Sequence, residues 1–142
     1  MVKKIPLNET IADVLSRYPI AFAYLVGSQA SGRTTPLSDV DVAVYFSRPK
    51  DKLMGLVSGL SAGLQASLGR PDVDVIELNR AGIPVLSMIM KNAMPLMIKN
   101  IETERNFRNI TYQKIVDFQP TLNLIGRRTL ERIRENQYRE RI

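Results

Sequence analysis

The sequence predicts a mixed α/β domain, and three observations carry that prediction. Ile20 to Val26 and Val40 to Phe46 are apolar runs rich in β-branched and aromatic residues, which suits buried strands. Between them and a third short apolar run, Val73 to Leu78, the residues Leu53, Leu56, Val57, Leu60 and Leu64 recur at helical spacing. At 142 residues with 44% hydrophobic content, the chain is long enough for one compact core and too apolar for a disordered tail.

In chain order, Asn8 or Thr10 is positioned to cap a short amphipathic helix through Ile11, Val14 and Leu15, ending at Tyr18-Pro19. The strand Ile20–Val26 follows, then a glycine-serine turn and the strand that ends at Phe46. Pro49 opens the next helix, and Gly69 closes it. After the third strand, a helix from about Pro84 to Asn92 precedes a short segment, Leu96 to Ile98, expected as an edge strand. This order predicts a twisted sheet backed by helices on one side, with its carboxylates gathered at one open face. Beyond Ile101 the chain turns polar and helical. Pro120 lacks a donor and crowds the preceding turn, so a kink or break is expected at Gln119-Pro120. A second helix is expected from about Thr121 to Gln137, with Leu122, Ile125, Leu130 and Ile133 inward. The division expected is a domain over 1–100 and a helical extension over 101–142, packed on the core or on a partner.

The chemistry begins at Ser38-Asp39-Val40-Asp41. Residues two apart on a strand point to one face, so Asp39 and Asp41 converge. Two ionised carboxylates side by side on an apolar strand lose hydration and repel, which a divalent cation would offset. Both are hard oxygen donors, and the chain has no histidine or cysteine, so magnesium suits the pair better than zinc. The competing reading is that one or both aspartates cap a turn after Pro36 and face water.

Gly27-Ser28 favours the first reading. The strand ends at Gly27, where the chain can turn and a phosphate can approach the backbone, and a helical turn after it would offer free N–H groups and the Ser28 hydroxyl. A plain turn between strands would also use glycine and serine. Gly27 to Thr34 resembles a P-loop at first sight, but its lysine is replaced by Arg33, and Pro36 would break the helix such a loop must open.

Taken together, Gly27-Ser28, ten intervening residues and then Asp39-Val40-Asp41 resemble the active-site motif of the DNA polymerase β nucleotidyltransferase superfamily. The small size and the segment Val73-Asp74-Val75-Ile76-Glu77 are most similar to the minimal nucleotidyltransferase (MNT) antitoxins paired with HEPN-domain toxins. The resemblance covers roughly the first hundred residues. It implies a polymerase-β-like core with C-terminal helices, in which Gly27 and Ser28 bind the triphosphate. It also implies that Asp39 and Asp41 hold two magnesium ions and that a third carboxylate, matched by Asp74, completes the site. The residues agree, because a lone carboxylate in a short apolar strand needs a reason to be there. Arg33 and Ser38 are counted with the nucleotide contacts. Asp72, beside Pro71 at the strand entrance, reads as solvated, and Glu77 falls on the opposite face toward water or a basic neighbour.

The implied reaction is magnesium-dependent transfer of AMP from ATP to a tyrosine of a cognate HEPN ribonuclease toxin, which neutralises it. Asp39, Asp41 and Asp74 would be the catalytic and metal-holding residues, and a C-terminal helical portion would help contact the toxin. Two other readings stay open: an antitoxin that neutralises by binding alone, and a transferase acting on RNA or a small hydroxylated acceptor. Without histidine, an imidazole general base is excluded.

The remaining composition narrows the class. The absence of cysteine rules out disulfides and thiolate metal sites. No run is apolar and long enough for a membrane span, and the first residues lack the apolar stretch of a signal peptide, so a cytoplasmic protein is expected. The net charge is +6, with much of the excess in the last third, at residues such as Arg127, Arg128, Arg132 and Arg134. A solvated basic helix is the default for such a tail. A protein-docking surface comes next, and direct nucleic-acid binding is not favoured, because aromatic residues for stacking are sparse there.

Overall fold

A computed structural model describes residues 7–26, 40–47 and 53–140. Its elements are α1 (Leu7–Leu15), β1 (Ile20–Val26), β2 (Val40–Phe46), α2 (Leu53–Leu68), β3 (Val73–Glu77), α3 (Ile83–Asn92), β4 (Met94–Ile98) and α4 (Ile101–Glu140). The four strands form one mixed sheet in the order β3-β2-β1-β4. β1 is antiparallel to both β2 and β4, whereas β2 and β3 are parallel and joined by the α2 crossover. The expected edge strand is β4, two residues longer at its start than the sequence suggested.

Helices cover both faces of the sheet, not one. On the first face, α1 and α2 pack Ile11, Val14, Leu15, Leu53, Leu60 and Leu64 against Val40, Val42, Val44, Phe46 and Val73. On the second, α3 and the start of α4 bring Leu86, Ile89 and Phe107 onto Phe22, Tyr24, Val26 and Ala43. Central strand β1 is therefore buried along its whole length, as an uninterrupted apolar run requires.

Local chemistry sets the ends of these elements. Gly69 adopts φ of 64° just after α2, the left-handed conformation that stops a helix at little cost to glycine. α1 begins at Leu7, so Asn8 and Thr10 lie inside the helix and do not cap it; Lys99 Nζ donates to the Ser16 and Tyr18 carbonyls just beyond its other end. At the far end of the sheet, Asn79 Nδ2 donates to the Phe46 carbonyl at 2.8 Å and its Oδ1 accepts the Phe46 N–H at 2.9 Å. Asn100 caps α4 by accepting the Thr103 N–H at 3.1 Å.

α4 is a single helix of 40 residues that runs unbroken through Pro120. Of the kink or break expected at Gln119-Pro120, the break is absent, because proline removes one N–H and crowds one carbonyl, and on an exposed helix water can bond the freed groups. Ile125, Leu130 and Ile133, expected to point inward, are exposed. The helix is roughly 60 Å long against strands of about 20 Å, so its distal turns run past the sheet.

Candidate active site

Strand parity assigns each side chain of β2 to a face. Val40, Val42, Val44 and Phe46 enter the core beneath α1 and α2, which turns Asp41, Ala43 and Tyr45 to the other face. On β3 the same alternation buries Val73 and turns Asp74 and Ile76 to the face of Asp41. The parallel ladder then places Asp41 directly in register with Asp74. Neighbouring strands lie about 4.8 Å apart, so the two carboxylates share one end of one face.

The other neighbour of Asp41 is Val26, the last residue of β1 and the one before Gly27. The three strand ends therefore meet in one row, Val26, Asp41 and Asp74. Gly27, Ser28, Arg33, Ser38 and Asp39 lie outside the described residues. Of the predicted carboxylates, Asp41 and Asp74 are brought together. Asp41 is half-buried and Asp74, on the edge strand, is exposed.

The nearby acids divide by their partners. Asp72 is half-buried and held in a two-pronged contact by Arg70, where the expectation was plain solvation. The Arg70 guanidinium holds its carboxyl below the usual carboxylate range. Its backbone carbonyl meanwhile accepts the Val40 N–H at 2.9 Å, which begins the ladder between β2 and β3. Glu77 faces the opposite side, as expected, and pairs with Arg80 at 2.9 Å. That pairing commits Arg80 away from the carboxylate end.

One acidic residue escapes the sequence reading altogether. Glu104, in the first turn of α4, is buried and accepts the Tyr24 hydroxyl at 2.7 Å, while Arg108 donates to its other oxygen at 3.0 Å. Burial first, and the Glu104 carboxylate second, push the Tyr24 phenol far above its ordinary value. The signal lay in the spacing of Glu104, Phe107 and Thr111, which puts all three on one helix face.

Two in-register carboxylates at a sheet end form a hard oxygen donor set of the kind that holds magnesium through one or two carboxylates plus substrate phosphates. Among the described residues, no group of three or more acidic or other metal-ligating side chains comes together. Asp41 and Asp74 fit a divalent cation as a pair.

No curated protein matches the chain by sequence. A solved toxin–antitoxin structure with AMP-PNP is 21% identical and superposes with a TM-score of 0.72 over 87% of this chain and 98% of its own. A MntA–HpeT pair bearing two aspartate-to-glutamate substitutions gives 0.72 at 20% identity, over 89% and 99%. A tri-AMPylated Shewanella oneidensis HEPN toxin in complex with MNT antitoxin gives 0.66 at 19% identity, over 87% and 96%. These likenesses establish a shared fold. Residues 9–102 match the family model described as polymerase beta, nucleotidyltransferase, and with the β2–β3 carboxylate pair inside that span, the chain belongs to this nucleotidyltransferase family.

Proposed function

We propose that this protein is an antitoxin that transfers AMP from ATP to a tyrosine hydroxyl of a HEPN-domain toxin. The observation that carries the reading is the register of Asp41 with Asp74, next to the strand end that leads into Gly27-Ser28. The solved relatives add their printed content: AMP-PNP in one, and an AMPylated HEPN toxin with its MNT antitoxin in another.

In this mechanism the chain mainly positions groups, which is what phosphoryl-type transfers ask of a protein. Gly27 and Ser28 cradle the triphosphate, with Ser38 and Arg33 beside it. Asp39, Asp41 and Asp74 would hold divalent magnesium, which when bound would supply charge neutralisation to the transfer. Asp74 sits exposed on the edge strand, where an incoming acceptor has access. Its carboxylate takes the proton of the tyrosine hydroxyl as that oxygen bonds to the α-phosphorus. The bond to the bridging oxygen breaks, and pyrophosphate leaves. The nucleotidyltransferase unit corresponds to 1–100, and the helical portion 101–142 serves the partner.

The direct test is incubation with magnesium, ATP and the candidate HEPN partner, followed by mass spectrometry of the partner. The expected result is an AMP adduct on tyrosine, lost on Asp41→Asn while the melting temperature stays within a few degrees. An adduct formed equally well by that variant defeats the assignment. Neutralisation without any adduct would instead favour the contact-only reading, which the exposed apolar residues of distal α4 support independently.

A further inference from the structure

We infer that a second site, for a small organic anion with a flat apolar body, lies at the end of the sheet opposite the carboxylates. A cavity of about 400 Å³ opens where β2 and β3 finish, between the start of α3 and the first turns of α4. Its volume falls in the range of roughly 300–1,000 Å³ typical of small-molecule sites. Tyr45 lines it four residues along β2 from Asp41, so about 13 Å separates the two sites.

The lining specifies the occupant. Leu86 and Phe107 give an apolar wall, and the Tyr45 ring, stacked on Phe22 at 5.1 Å, is held rigidly beside them. Polar groups surround this wall. Tyr45, Asn106 and Thr111 add neutral polar side chains to the lining. The amide of Asn79 is committed to the Phe46 backbone.

Charge decides the sign. Lys114 stands at the mouth and takes part in none of the ion pairs among the described residues, and no aspartate or glutamate lines the cavity. A cation backed by neutral hydrogen-bonding groups favours an anion, and the flat wall favours an aromatic or similarly planar body. Such an occupant would touch β2, α3 and α4 together and stiffen the seat from which distal α4 projects.

The test is an NMR titration of the full chain, without magnesium, using phenyl phosphate, phenol and benzylamine as matched anionic, neutral and cationic probes. Saturable shifts of the Ala81 and Thr111 signals are expected with phenyl phosphate, at an affinity about ten-fold or more above phenol. Benzylamine should leave those signals unmoved. Lys114→Ala should lower phenyl phosphate to the level of phenol, and Lys114→Arg should restore most of the difference. Equal responses to all three probes, shifts confined to Asp41 and Asp74, or undiminished binding by Lys114→Ala would each overturn the assignment.

Discussion

The two halves of α4 share one helix and one apolar stripe, yet they meet different surroundings. In the first half, Glu104, Phe107 and Thr111 seat on the sheet, with Phe107 tilted against both Phe22 and Tyr45 at 5.2 and 5.4 Å. The same face continues at three- and four-residue steps through Ile115, Phe118, Leu122 and Ile125, where no core of the described chain receives it. Amphipathic spacing therefore announces a contact without saying which molecule supplies it. Among the described residues no helix is long and apolar enough to cross a membrane.

Substitutions in the two halves should separate sharply. The largest effect is expected for Phe107→Ala, which removes an aromatic anchor and should cost about 3 kcal/mol in urea unfolding. Glu104→Ala comes next. It strands the buried Tyr24 hydroxyl and should cost about 1–3 kcal/mol by the same measurement.

Tyr24→Phe should have a smaller effect whose signature is its pH dependence. The folded-state phenol titrates above its ordinary value of 10.0. Its stabilisation is therefore fully present below pH 10 and declines at higher pH, where the unfolded chain loses the proton first. Wild type should lose melting temperature between pH 9 and 11 more steeply than the variant; parallel curves would contradict a raised Tyr24. Smallest of all, Ile125→Ser should shift the stability of the isolated chain by less than about 0.5 kcal/mol while weakening the complex with the proposed HEPN partner. A cost approaching that of Phe107→Ala would mean that the distal stripe is already covered, and the contrast between the halves would fall.

Much of the fold is legible because alternation and caps are local. The parity of Val40, Asp41 and Val42 fixes which face carries the acid, and Gly69 marks the end of α2. The pairing of Asp41 with Asp74 was within reach because each acid sits between two valines, Val40 and Val42 or Val73 and Val75, so alternation turns both carboxylates to the face opposite those valines. Coverage of both sheet faces was also available, since Ile20 to Val26 lacks any polar alternation, but only tertiary packing says which helices do the covering. Pro120 does not end the helix because solvent absorbs its local penalty. Glu104 does mislead: an acidic residue in a first helical turn normally reads as a favourable dipole contact, and nothing nearby in sequence points to Tyr24, eighty positions earlier.

The amide of Asn79 has a consequence for how this end of the molecule can vary. By matching both backbone groups of Phe46, it supplies the last rung between β2 and β3 from a side chain and not from the main chain. The polypeptide is thereby released to change direction one residue later without fraying the strands behind it. Lengthening the connection after Arg80 should be tolerated well, whereas exchanging that single amide for a carboxylate would loosen the rung it completes.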